Sequence, residues 1–230
     1  MISKDEIIKD LKVMLSKSRY EHTLSVAKKA IELGKRFGID EETCEMAGLL
    51  HDCAKGNEKF YEEKYNDEFN ELLSREENRQ YENPFLKHCL LGMIVAKEKY
   101  KVTDCEVLNA IKEHTTGSLY MTDLAKVLYL ADKTEDNRDY DGVDEIRKVS
   151  MINMDKAMVL SLNNTIKYLI EKNRTIAPES IELRNFLLGG IGERNWFNSK
   201  GMRRQDCKGC IVHKTTRGHG NSRLLCNRYR

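Results

Sequence analysis

Long apolar runs are absent from this 230-residue chain. The longest are stretches of a few residues, such as Ala47-Gly48-Leu49-Leu50, whereas a bilayer span needs about 20. No membrane segment is expected. Met1-Ile2-Ser3-Lys4-Asp5 lacks the apolar core of a secretory signal, which points to a cytoplasmic protein. Phosphate-cradling glycine loops are missing too. There is no G-x-x-x-x-G-K-S/T and no G-x-G-x-x-G, which disfavours the nucleotide-handling folds that depend on them. Strand-like alternation and internal repeats are also lacking. Proline occurs only twice, at Pro84 and Pro178, each at an expected helix start.

What is present is charge and helical periodicity. Apolar residues make up 40% and charged residues 33%, the balance of an ordinary soluble domain with a core. Of the seven cysteines, Cys44, Cys53, Cys89 and Cys105 fall at helical apolar positions. They read as reduced, mostly buried thiols rather than a disulfide framework.

The net charge of +2 conceals an asymmetry. Residues 189–230 hold ten Lys or Arg against Glu193 and Asp206, so this tail carries +8 and residues 1–188 carry −6. Nucleic-acid binding is therefore not expected of the main domain. Gly189-Gly190-Ile191-Gly192 breaks the helical pattern, and half of the 14 glycines follow Leu188. The chain divides into a helical domain, 1–188, and a basic, glycine-rich tail, 189–230, expected to be poorly ordered. Cys207 and Cys210 have the spacing of a zinc knuckle, but the second half of such a motif is irregular, with His213, His219 and Cys226. An aberrant extension is a further reading, and an RNA-contacting tail another.

Residues 1–188 read as helix after helix, an all-α bundle. Ser3 and Glu6 form a capping box ahead of Ile7, Leu11 and Leu15. A second helix runs from about Tyr20 to Phe37 and stops at Gly38. Asp40 caps a third, roughly Glu41 to Cys53, ended by Lys55-Gly56. The charged stretch Asn57–Arg79 is either helical or mobile. Leu86 to Tyr100 form the next helix, Thr103 with Glu106 caps one reaching His114, and Thr122 caps one running through Asp132. Asp155 to Lys172 is amphipathic, and a last helix runs from Pro178 to about Leu188.

Four histidines lie in the helical domain: His22, His51, His88 and His114. His51-Asp52 is the sharpest signal. At a helix end, an imidazole nitrogen and the neighbouring carboxylate can converge on one cation. His22 and Asp132 come from other helices, and small residues beside each let the helices approach. Two His and two Asp give nitrogen and hard oxygen donors, suited to iron, manganese, zinc or nickel. Such an ion acidifies water and screens a phosphate oxygen. For His88 and His114 two roles stay open: a second ion with Asp52 bridging, or contact with phosphate oxygens and the leaving group.

The ordered set resembles the HD superfamily of metal-dependent phosphohydrolases. The resemblance is closest to its YqeK-like group, which hydrolyses diadenosine tetraphosphate symmetrically to two ADP. It rests on Arg19-Tyr20-Glu21-His22-Thr23, Ala47 to Lys55, Leu86-Lys87-His88, Ala110 to Gly117 and Tyr129 to Arg138, and covers most of residues 1–188. It implies an HD helical bundle whose metal ligands are His22, His51, Asp52 and Asp132, with iron as the usual ion. It also implies a catalytic set of Asp52, His88 and His114, with the same histidines and aspartates facing the substrate. Arg19 and Arg138 match cationic positions near the nucleotide, where a planar guanidinium suits phosphate, and Lys55 adds charge. Thr115 and the turn Thr175, Ile176, Ala177, Pro178, Glu179 and Ser180 match positions expected to touch the nucleoside. Another HD nucleotide hydrolase, or a nucleotide-and-metal sensor without turnover, remains an alternative, and a homodimer is left open.

Overall fold

The structure is a computed structural model that describes residues 2–192. The tail, with Cys207, Cys210, His213, His219 and Cys226, lies outside the described residues. The described chain is all helical. In order, its α-helices are α1 (Lys4–Met14), α2 (Lys17–Phe37), α3 (Glu41–Leu50), α4 (Glu58–Lys64), α5 (Asn66–Leu73), α6 (Lys87–Glu98), α7 (Cys105–Glu113), α8 (Asp123–Thr134), α9 (Val143–Ser150), α10 (Met154–Glu171) and α11 (Pro178–Gly192). A 3₁₀ segment, Glu76–Glu82, precedes α6. No described helix is long and apolar enough to cross a membrane.

Most expected starts coincide with observed caps. Ser3 and Glu6 make the capping box of α1, Asp40 accepts from Thr43 N at 2.8 Å, and Thr122 accepts from Ala125 N at 3.2 Å. Others move. α2 begins three residues early because Ser16 accepts from Arg19 N. The cap of α7 is Asp104, which accepts from Glu106 N at 2.8 Å, rather than Thr103. Asn57–Arg79 is helical. Pro84 sits in the turn ahead of α6 rather than inside its first turn. Helix α11 continues past Leu188 to Gly192. Helix α9 carries no side-chain cap to mark its start in the sequence.

The departure that matters most is at α3. The α-helix stops at Leu50 instead of Cys53. The chain then tightens into i→i+3 bonds, Cys53 N to Leu50 O at 3.2 Å and Lys55 N to Asp52 O at 2.9 Å. Gly56, at φ +81°, reverses the direction, a conformation that costs glycine little. His51 and Asp52 therefore sit on a turn that projects from the helix end.

Helices α3, α6, α7 and α8 form the centre, and α2 lies along both α3 and α8. Leu90, Leu91, Met93, Ile94, Val95 and Ala96 of α6 are all buried. So are Leu124, Ala125, Val127, Leu128, Leu130 and Ala131 of α8. A helix apolar on every side is a core helix, enclosed by its neighbours. Gly48 sets the closest approach. A Cβ there would stand 2.5 Å from Ala27 Cα and 3.0 Å from Ala27 N, so α2 and α3 meet backbone to backbone. This brings His51 to the His22 face.

Gly48→Ala must therefore push α2 and α3 apart. The expected cost is about 1–3 kcal/mol, the usual range for overpacking a core, read as a lowered denaturation midpoint. An unchanged midpoint would contradict the close crossing.

Candidate metal centre

Six side chains from five helices meet at one end of the bundle. His22 comes from the first turns of α2, His51 caps the C-terminus of α3, and Asp52 follows it. His88 lies in the first turn of α6, His114 caps the C-terminus of α7, and Asp132 lies in the last turn of α8. His51, Asp52, His88, His114 and Asp132 are all buried.

Helix ends leave carbonyls without partners, and two of the histidines use them. His51 Nδ1 donates to Gly48 O at 2.8 Å, and His114 Nδ1 donates to Ile111 O at 2.7 Å. A carbonyl can only accept, so both rings carry a proton on Nδ1 and turn Nε2 inward. His22 is fixed likewise, with Nδ1 3.1 Å from Glu135 Oε1. Glu135 is itself held by Asn137 N at 2.7 Å.

The inward atoms crowd together. His22 Nε2 lies 3.3 Å from His51 Nε2 and 3.1 Å from Asp132 Oδ1, and His51 Nε2 lies 3.7 Å from Asp52 Oδ2. Donors bonded at about 2.1 Å to one ion sit roughly 3.0–3.4 Å apart, so two of these separations fall in that range and the third slightly beyond it. Two facing lone pairs repel, and a cation between them removes the repulsion. Asp52 Oδ1 is buried and has no hydrogen-bond partner, a costly state for an ionised oxygen. It faces His88 Nε2 and His114 Nε2, each at 3.5 Å. The donor set thus fits a metal.

Charge is distributed to match. Burial pushes the His51 imidazole down to about 4, so the ring stays neutral. Burial opposes the charge of Asp52, but His51, His114 and His88 hold its carboxyl well below the usual range. At Asp132 burial is likewise outweighed, by Lys133, His22 and Arg138. Burial also works against a proton on His114, yet Cys89 and Asp52 push its pKa up to about 10.

Cations ring the cluster. Arg19 Nη1 donates to Asp52 Oδ2, and Arg138 donates from Nη2 to Asp132 Oδ1 at 2.7 Å and from Nε to Asp132 O at 2.8 Å. Lys133 Nζ reaches Asp132 Oδ2 at 2.8 Å. Lys55 Nζ lies 2.9 Å from both ring nitrogens of His88.

Thr115 Oγ1 is 3.4 Å from His88 Nε2. The turn Thr175–Ser180 docks against the same region, because Ser180 Oγ donates to Thr116 O at 3.1 Å. Thr175 and Pro178 are exposed, while Ile176, Ala177 and Glu179 are half-buried. Periodicity and motif give no role to Glu135 or Lys133 and place Cys89 among the core thiols. Cys89 Sγ is in fact 3.4 Å from His88 Nε2; its adjacency to His88 in the chain was the available signal.

The HD domain family model matches residues 19–137. The symmetrical bis(5'-nucleosyl)-tetraphosphatase of Bacillus subtilis (strain 168) is 35% identical over 192 residues, covering 82% of this chain and all (100%) of that protein. The enzyme of that name from Staphylococcus aureus (strain NCTC 8325 / PS 47) is 34% identical over 180 residues, 76% of this chain and 89% of its own. Among solved structures, an HD superfamily hydrolase of Clostridium acetobutylicum, described as involved in NAD metabolism, superposes with a TM-score of 0.75. It is 37% identical and covers 83% of this chain and 99% of its own.

Two outcomes follow from this geometry. Glu135→Leu frees the His22 ring, and metal affinity should fall by roughly 10–100-fold, as for other outer-shell partners; competition with a chelator measures it, and unchanged affinity would remove Glu135 from the site.

The second concerns the ion-free protein, whose stability should fall on acidification. Below about 6.5 the unfolded chain protonates His51 and the folded chain does not until about 4, so stability is lost through that window. Denaturant titrations should show this acidic fall flattened in His51→Gln. A fall of the same steepness in that variant would refute the assignment.

Proposed function

Because this chain belongs to the HD-domain family of metal-dependent hydrolases, we propose that it hydrolyses diadenosine tetraphosphate symmetrically, to two ADP. One observation carries the reading most: a buried cluster of His and Asp donors in contact with four cationic side chains, Arg19, Lys55, Lys133 and Arg138. Cations above a metal site suit a polyphosphate, whose charge must be neutralised while an anhydride opens.

His22, His51, Asp52 and Asp132 are the proposed ligands, and iron is the proposed ion. A cation held there acidifies water and polarises a phosphate oxygen. The remaining work belongs to the chain. Asp52, ionised throughout the neutral range, orients the attacking water by accepting its hydrogen bond. Arg19 and Arg138 leave their aspartate partners in part to bind phosphate oxygens, two donors per guanidinium. Lys55 follows the leaving phosphate as a mobile charge. His88 and His114 meet phosphate oxygens directly or through an ion they hold. Thr115 and the turn Thr175, Ile176, Ala177, Pro178, Glu179 and Ser180 form the wall against which a nucleoside is placed. The buried thiols Cys44, Cys53 and Cys89 suit a reducing, cytoplasmic setting.

Anaerobically prepared, iron-loaded protein should convert diadenosine tetraphosphate to ADP alone, as resolved by chromatography. Products of ATP and AMP would overturn the symmetrical assignment, and no products would overturn the activity. Asp132→Ala should lose more than about 100-fold of the rate, since outer-shell changes alone cost 10–100-fold, while its helical circular dichroism persists.

A further inference from the structure

One side chain outside the cluster holds three backbone carbonyls at once. Arg147 lies in the middle of α9 and reaches back to the turn that follows α8. Its Nε donates to Thr134 O at 3.0 Å, and its Nη2 donates to Glu135 O at 2.9 Å and to Arg138 O at 2.6 Å. Its Nη1 donates to Asp144 Oδ1 at 2.8 Å, one turn earlier on α9. All three nitrogens of the guanidinium are engaged.

A helix end leaves carbonyls without partners, and any donor can meet one of them. Meeting three with one planar group does more. The donors of a guanidinium leave it at fixed angles, so Thr134, Glu135 and Arg138 are held in one mutual arrangement. Two of these residues send side chains to the cluster. Glu135 Oε1 lies 3.1 Å from His22 Nδ1, and Arg138 Nη2 donates to Asp132 Oδ1 at 2.7 Å. Bonds within the turn complete the frame: Arg138 N donates to Glu135 O at 3.0 Å, and Asn137 N to Glu135 Oε2 at 2.7 Å. Helix α9 is itself anchored. Val143 and Ile146 are buried, and just ahead of it Asn164 of α10 donates to Asp141 O at 2.7 Å.

We infer that Arg147 is a positioning residue that sets two metal ligands from different helices together: His22 of α2 through Glu135, and Asp132 of α8 through Arg138. The inference rests on the reading of His22 and Asp132 as ligands. Loss of Glu135 disturbs His22 alone. Loss of Arg147 disturbs both His22 and the arginine proposed to bind substrate phosphate, so metal affinity and substrate affinity fall together.

The test uses the full-length chain. Arg147→Met keeps most of the stem and removes the donors, and Arg147→Lys keeps the charge on a single nitrogen. Iron(II), added anaerobically to the ion-free protein in competition with a chelator, should bind roughly 10–100-fold more weakly to Arg147→Met, as for other outer-shell losses. Arg147→Lys should recover little of this, because one ammonium cannot span three carbonyls. In a Glu135→Leu background, Arg147→Met should add little further loss, since both act on the same ring. At saturating iron, the KM for diadenosine tetraphosphate should rise by about tenfold in Arg147→Met, the scale of one charge-assisted hydrogen bond, and stay near the parental value in Glu135→Leu. In the ion-free protein, the amides of Asn137 and Arg138 should lose protection from hydrogen exchange in Arg147→Met, while those of residues 127–131 in α8 keep it.

Parental iron affinity in Arg147→Met, full recovery in Arg147→Lys, additive losses with Glu135→Leu, an unchanged KM, or protection lost throughout α8 would each overturn the inference. If the parent binds iron but forms no product, the hydrolase reading fails, and the affinity and exchange measurements still decide the role of Arg147. If the parent binds no iron, the metal reading fails and the inference with it.

Discussion

A carboxylate enclosed by protein is expensive unless every lone pair is met, and Asp52 is met on one side only. Arg19 takes Oδ2, while Oδ1 faces two imidazoles at 3.5 Å without a hydrogen bond. Desolvating such a charge costs several kcal/mol even after relaxation. The bundle bears that cost because α2, α3, α6, α7 and α8 all deliver polar side chains to this one end. Their apolar residues supply the packing elsewhere. A cation is the species that settles the account of Asp52, and the site has the form that this requirement dictates.

The same economy governs the histidines. His51 and His114 each cap their own helix by bonding a carbonyl three residues back. One bond satisfies a helix terminus, chooses the tautomer and aims Nε2. His22 sits near the start of its helix, with no such carbonyl to spare, and relies instead on Glu135. The segment that carries Glu135 and Arg138 is pinned in turn by Arg147 of α9. Its guanidinium donates to Thr134 O at 3.0 Å, Glu135 O at 2.9 Å and Arg138 O at 2.6 Å. Helix α9 supplies none of the proposed ligands, yet it fixes the loop that orients one and pairs with another.

Positive charge and metal donors are segregated by depth. The donors are buried, whereas Arg19 and Arg138 keep 34% and 37% of their side chains exposed. On the proposed reading, a polyphosphate entering from solvent would meet guanidinium first and the donor cluster after it. Each arginine is paired with a proposed ligand aspartate.

The order His22, His51-Asp52, Asp132, with small residues beside each and helical periodicity between, was legible in the chain itself. So were the all-α architecture and most helix starts, because capping and periodicity act over three or four residues. What only the tertiary structure decided is which side chains share the space. The early end of α3 at Leu50, the Gly48–Ala27 crossing and the pairing of Glu135 with His22 depend on contacts between residues far apart in sequence. Cys89 shows the difference most clearly. On a helix it reads as one more small apolar residue, and only the meeting of α6 with the end of α7 puts its sulfur beside two imidazoles.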